Sequence, residues 1–143
     1  MDLIALLYVS YATLGANQDA SLAAILDWSR VYNPTVGISG ALLFTGTRFA
    51  QILEGEAVEV HRLLANIRMD SRHADVVVLQ EWPIQERLFQ GWALAYAGPS
   101  DYVERVMSKP LDAVRQGARP DVGQLVRLMV QFAATDGITR SAE

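Results

Sequence analysis

The chain has 143 residues, 51% of them hydrophobic, with no cysteine, two histidines and a formal net charge of −4. That is the length of one domain, with enough apolar side chains to build a core without staples. The absence of cysteine excludes disulfides, thiolate chemistry and Cys-ligated zinc or iron–sulfur clusters, and the mild acidity without like-charge blocks excludes a generic nucleic-acid footprint.

His61 and His73 are not at HExxH spacing, so no transition-metal site is expected. The N-terminus carries an acid and lacks a basic n-region, so it does not read as a signal peptide. No apolar run is long enough to span a bilayer. The expectation is a soluble cytoplasmic protein with no membrane and no nucleic-acid partner.

Residues 3–10, LIALLYVS, predict a buried strand, and GANQ marks a loop after it. From about Ser21 a helical period begins: Leu22, Ile25, Leu26 and Ser29 share a face, and Asp19 or Ser21 can cap the start. Asn33-Pro34 ends this helix, because a residue before proline disfavours the helical region. VGISGALLF and RFAQILEG around TGT predict a hairpin. Residues 57–69 read as a second amphipathic helix with Val60, Leu63, Leu64 and Ile67 on one face. Residues 76–82 predict a strand whose place in the sheet Pro83 restricts, and residues 91–97 a last strand. Residues 101–107 and 122–134 are helical in pattern, joined by KPLDAVRQGARP.

The order β-α-β-β-α-β-β is that of an α+β, ferredoxin-like sheet with one extra strand. Two helices would cover one sheet face, and the C-terminal helices would cover the other. Within these apolar segments sit three polar side chains: Tyr8, Asn33 and Gln51. A buried polar group left unpaired costs about 1–3 kcal/mol, so three of them on elements that pack together predict one shared polar site. Their chemistry offers donors and acceptors but no strong nucleophile, base or metal ligand. Such a set suits holding a flat, heteroatom-rich ligand.

Over residues 3–97 the chain resembles the BLUF domains, blue-light sensors that bind a flavin. The matching pieces are LLYVS, the asparagine ahead of GISGALLF, the glutamine in FAQILEG, DSRH after the second helix, and PIQERLFQGW. The resemblance implies a flavin held without a covalent bond between the two helices, with FAD the first expectation and FMN or riboflavin the alternatives. It implies that Tyr8 bonds to Gln51, that Gln51 reaches the ring's N5 and O4 edge, and that Asn33 holds the pyrimidine edge. Arg72 would lie near the ring's carbonyl and ribityl side. Ile25, Ser29, Ile67 and His73 complete the candidate cofactor-binding set, with Ser10 a further possible contributor to its hydrogen bonds. Tyr8 and Gln51 are the photoactive pair, and Trp92 and Leu94 the residues expected to pass the signal on. Light-driven electron transfer from Tyr8 and rearrangement of Gln51 would shift the flavin band to the red.

Each residue also has a plainer reading. Tyr8 could be a core tyrosine with one satisfied hydroxyl, Asn33 a helix C-cap, Gln51 an outward residue of a hairpin strand, and Arg72 a surface partner of Asp70 or Asp75. Ile25, Leu26 and Ile67 could be plain helix–sheet core. His73 reads as a loop histidine, His61 as solvent-facing, and Trp28 and Trp82 as structural. The chain departs from the family pattern at Leu94, where many members have methionine, a more polarisable side chain, and at Tyr32, where a more polar residue is common.

Residues 1–98 would form the sensor and residues 99–143 a helical extension for capping, oligomerisation or output. The resemblance implies no enzyme activity. It implies a homo-oligomer and an effector protein in trans, such as a cyclic-di-GMP phosphodiesterase or a response-regulator-like protein. Two other classes share the shape: a light-insensitive flavin-binding or chromophore-free ferredoxin-like regulatory domain, and an acylphosphatase-type enzyme. The enzyme has the weaker case, because no glycine-rich phosphate cradle precedes a helix.

Overall fold

A computed structural model describes residues 2–135 of the chain. Strand β1 (Leu3–Ala12) is buried almost throughout, which is why its sequence is a continuous apolar run and not an alternation. It is followed by helix α1 (Gln18–Thr35), strands β2 (Ser39–Phe44) and β3 (Arg48–Glu56), and helix α2 (Ala57–Met69). Then come strands β4 (His73–Pro83) and β5 (Ala95–Ala97) and helices α3 (Asp101–Arg115) and α4 (Val122–Thr135). The five strands form one sheet in the order β4-β1-β3-β2-β5, antiparallel except for the β2–β5 pair. This is the expected ferredoxin-like α+β architecture with its extra strand. β4 lies at an edge and Pro83 is its last residue, where a missing N–H disturbs the ladder least.

The period of two along each strand sorts the core into layers. On the front face, Leu6, Tyr8 and Leu53 pack with Val60, Leu63 and Leu64 of α2. Beside them, Leu42, Phe44, Phe49 and Leu94 pack with Ile25 of α1. On the back face, Leu7, Val9, Leu43 and Ile52 meet Val103, Met107 and Leu111 of α3 and Leu125, Met129 and Phe132 of α4. The C-terminal helices therefore cover the second sheet face, as the sequence predicts. No helix among the described residues is long and apolar enough to cross a membrane.

Several boundaries differ from those read in the sequence. Helix α1 starts earlier, with Asn17 at its N-cap and no side-chain cap; the Ser21 hydroxyl instead donates to the Leu14 carbonyl at 3.0 Å. It runs one residue past Pro34, whose ring the last turn accommodates. Strand β4 begins at His73, three residues before the VVV run, and β5 keeps only three of the seven predicted residues. The largest difference is α3, which continues through Pro110 to Arg115. Proline removes one intrahelical bond, but Val103, Met107 and Leu111 recur every fourth residue and are all buried against the sheet. That packing outweighs the proline. The helix ends where Gly117, at φ 81°, closes a Schellman turn: its N–H donates to the Val114 carbonyl and that of Ala118 to the Ala113 carbonyl.

Candidate functional site

Helices α1 and α2 lie side by side over the front of β1, β2 and β3, and the floor between them is polar. Tyr8 and Gln51 are direct partners across the β1–β3 ladder, with side chains on the same face. The Tyr8 hydroxyl donates to Gln51 Oε1 in a buried hydrogen bond. Tyr8 is 0% exposed and Gln51 6%. Burial, reinforced by the negative charge of Asp70, drives the Tyr8 pKa far above the usual phenol value, so the hydroxyl keeps its proton. Gln51 faces inward, which removes its reading as an outward hairpin residue.

Asn33, in the last turn of α1, is 1% exposed. Its Nδ2 donates to the Ala93 carbonyl at 2.9 Å. Its Oδ1 is buried and accepts nothing among the described residues. An amide oxygen in that state is costly and is an acceptor waiting for a donor. Helix α1 has 18 residues, of which Ile25, Ser29 and Asn33 are buried. Two of the three are polar, an unusual inner face for a helix that is only packing on hydrocarbon.

The cleft between the helices is lined by Ile25, Trp28 and Ser29 of α1, Leu63 and Ile67 of α2, Leu42 and Gln51 of the sheet, and Asp70, Arg72 and His73. Its free volume is about 40 Å³. A larger hollow of about 450 Å³ lies between β4 and the α3–α4 turn, but the charged residues at its rim, Arg119 and Asp121, are solvent-exposed.

The turn after α2 supplies the cleft's charges. Arg72 grips Asp70 through two nitrogens, Nε to Oδ1 at 2.9 Å and Nη2 to Oδ2 at 2.7 Å. Asp70 also accepts from the Arg72 backbone N–H at 2.9 Å. The pair holds Asp70 below the usual carboxylate range and Arg72 above its ordinary value, in each case chiefly through that side-chain bond. The salt-bridge reading of Arg72 is thus what the structure contains, with Asp70 and not Asp75 as the partner, but the pair sits in the cleft wall. His73 begins β4, with Nδ1 2.9 Å from the Ser10 hydroxyl and its ring 4.8 Å from Phe49 and 6.2 Å from Tyr8. Burial pushes its pKa down to about 4, against the pull of Asp70.

The sequence-predicted residues do not all converge. Gln51, Ile25, Ser29, Ile67, Arg72 and His73 line the cleft, Tyr8 is bonded to Gln51 beneath it, and Asn33 follows Ser29 on the buried face of α1. Leu94 lies under α1 in the front layer with Leu42 and Phe49. Trp92 packs against the back-face cluster. Trp28, read as structural, lines the cleft mouth and stacks on Tyr32 with centroids 4.5 Å apart. Trp82 packs in the back layer, and His61 pairs with Glu81 at 2.5 Å on the surface. Sequence reading missed Asp70 as a wall of the cleft. It also missed Glu54, a charged residue between Leu53 and Gly55 in an apolar strand, although the reasoning that singled out Gln51 applies to it equally.

The protein is thus of the ferredoxin-like α+β class, with a buried phenol–amide pair on its front face and, at the end of α1, a buried amide oxygen without a partner among the described residues. The family model for BLUF, sensors of blue-light using FAD, matches residues 3–95, and the chain belongs to that family. It is 38% identical over 96 residues to photoactivated adenylate cyclase subunit beta of Euglena longa, covering 66% of this chain and 11% of that protein. The chain thus spans about a tenth of the length of the curated relatives it matches. Its structure is similar to that of BlrB, a BLUF protein in the dark state, at a TM-score of 0.76 and 29% identity over 91% of this chain and 96% of that one. It is also similar to the photo-activated state of BlsA, at a TM-score of 0.75 and 25% identity over 92% and 94% of the two chains.

The residues present fit the group that this family uses. An oxidised flavin ring carries an N3–H between two carbonyls, and Asn33 Oδ1 is a buried acceptor lacking a donor.

Proposed function

We propose that this protein is a blue-light photoreceptor in which Tyr8 and Gln51 form the switch. The observation that carries the reading is the buried Tyr8–Gln51 hydrogen bond at the floor of the two-helix cleft. Asn33 and Arg72 would hold the ring's polar edge, Gln51 its N5 and O4 side, and Ile25, Ser29, Ile67 and His73 its flanks. FAD, the flavin in the family's description, is the first candidate.

Bound flavin supplies absorption of blue light and acceptance of one electron. Tyr8 would be the electron donor, because a phenol is readily oxidised and its hydroxyl is bonded to Gln51, with Trp28 at the cleft a competing donor. As long as it is neutral it holds its proton firmly, its pKa being raised by burial. Once it has lost an electron, the same hydroxyl is a strong acid and its proton passes to Gln51 Oε1, the atom it already bonds. Gln51 then reorganises so that its donor and acceptor ends face different neighbours. When the electron and proton return to Tyr8, the original bond re-forms and the cycle closes without net chemistry. Neutral His73, with its pKa near 4, adds no positive charge beside Tyr8 at neutral pH.

Residues 1–98 would be the sensor and residues 99–143 the output element, acting through self-association or an effector protein in trans. The cyclase subunits it resembles carry a matching segment within a far longer chain, which supports a sensor that acts on an output element beyond its own fold.

The test is the absorption spectrum before and after blue light. Wild type should show flavin bands that move to the red and recover in the dark. Tyr8→Phe should bind flavin and show no red shift, and Gln51→Leu likewise. A Tyr8→Phe protein that shifts normally overturns the role given to Tyr8. A protein that stays colourless with added flavin overturns the whole reading.

A further inference from the structure

We propose that Glu54 is a positioning residue that fastens the strand carrying Gln51 to the segment carrying Trp92 and Leu94, so that a change at Gln51 reaches β5 and the helices behind the sheet. This rests on the switch role given to Gln51 above.

Glu54 lies three residues after Gln51 on β3, so its side chain turns to the opposite face, the side of Ala50 and Ile52. It is 0% exposed. A carboxylate there is costly unless its lone pairs are filled. Its Oε1 accepts from the Ser39 hydroxyl at 3.0 Å and the Phe89 N–H at 3.1 Å, and its Oε2 from the Leu88 N–H at 2.7 Å. Arg87 closes the arrangement, with Nη1 donating to the Ser39 hydroxyl at 3.0 Å and to the Glu54 backbone carbonyl at 3.3 Å. Two consecutive backbone N–H groups aimed at one buried carboxylate form an anion nest. A hydrocarbon side chain would fill the same space but would hold nothing from the 87–89 turn.

The same segment is tied at its other end to helix α1, whose Ile25 and Ser29 line the cleft. The Ala93 carbonyl accepts from Asn33 and the Leu94 carbonyl from Arg30 Nε at 3.4 Å. Between the two ties, the Trp92 N–H donates to the Phe89 carbonyl at 3.0 Å, and its carbonyl accepts from the Gly40 N–H at 3.3 Å. Beyond them the chain enters β5, whose Ala95 and Ala97 pack in the layer that holds α3 and α4. Glu54 itself cannot shift alone, since its backbone pairs with Ala5 on one side and Ser39 on the other in the middle of the sheet. The 87–94 segment therefore hangs between the strand of Gln51 and the helix of Asn33, and any change in their relative position is imposed on it.

The experiment is hydrogen exchange by mass spectrometry, in the dark and under blue light, on flavin-loaded wild type, Glu54→Gln and Arg87→Ala. Glutamine keeps the shape but sets an NH₂ against a backbone donor. Wild type should show a light-minus-dark difference over residues 87–115. Both variants should keep the red shift while that difference falls at least about fivefold. Should Glu54→Gln fail to fold, Arg87→Ala decides alone, because Arg87 lies in a partly exposed loop. An undiminished difference in the variants, or no difference in wild type despite a red shift, overturns the proposal. So does loss of the red shift in the variants, which would place Glu54's effect at the switch itself. A wild type with no red shift refutes the switch reading, and this proposal falls with it.

Discussion

At the scale of single residues, the site is defined by polar groups whose partners are only partly supplied by the protein. Tyr8 is satisfied by Gln51, while Asn33 has one end on Ala93 and the other unpaired. His73 makes a prediction of its own. Its pKa falls from the ordinary 6.5 to about 4 in the folded chain. Between those values the unfolded chain binds a proton that the folded chain does not, so stability falls as pH drops through that window. The loss reaches at most about 3 kcal/mol. Asp70 acts lower: its depressed pKa stabilises the fold above the ordinary carboxylate range, and that contribution is lost as pH falls through its folded value. Urea unfolding at pH 7 and pH 5 should show wild type weaker at pH 5. His73→Gln should lose most of that difference, and an unchanged slope in the variant would remove the assignment.

At the scale of elements, two positions show local geometry deciding what packing can use. A β-carbon on Gly40 would sit 2.1 Å from the Ile52 carbonyl oxygen, inside the β2–β3 hairpin that presents Gln51. Gly40→Ala should therefore destabilise by roughly 2–3 kcal/mol, read as a lower thermal midpoint. Ser100 caps α3, its hydroxyl accepting from the Val103 N–H at 3.1 Å. Ser100→Ala should cost about 1 kcal/mol in denaturant titration, less than the hairpin substitution because the rest of α3 is held by its buried face. An equal or larger cost would mean that α3 depends on its first turn more than on Met107 and Leu111.

At the scale of the whole molecule, the sheet is sandwiched between two unlike layers: a front pair of helices parted by a polar cleft, and a back pair packed on hydrocarbon. The back pair packs on the opposite sheet face from the candidate site and completes the core. A chain truncated after Pro99 uncovers Leu43, Ile52 and their neighbours on the back face. It should self-associate or precipitate, where the full chain gives a defined species in size-exclusion chromatography with light scattering. A truncated chain that stays soluble and monomeric would show that the front half alone closes the core. The Arg48–Asp112 contact at 2.6 Å joins β3 to α3 across this boundary, so the back layer is tied to the Gln51 strand by charge as well as by packing.

Read alone, the sequence determines the element order, the β2–β3 hairpin and the polar trio in the apolar segments, because periodicity and burial cost are local properties of the chain. It also carries the family resemblance, whose motifs lie on those same elements. Tertiary structure alone decides which face each polar side chain joins, because a one-residue change of phase along a strand reverses the face. That phase puts Gln51 beneath the cleft, sends Glu54 through to the other side and leaves Trp92 in the back layer. It also decides that α3 runs through Pro110, where buried side chains every fourth residue outweigh one lost hydrogen bond. And it decides that Asp70 and Arg72 face the cleft wall, since a turn's direction is set by what it packs against and not by its own composition.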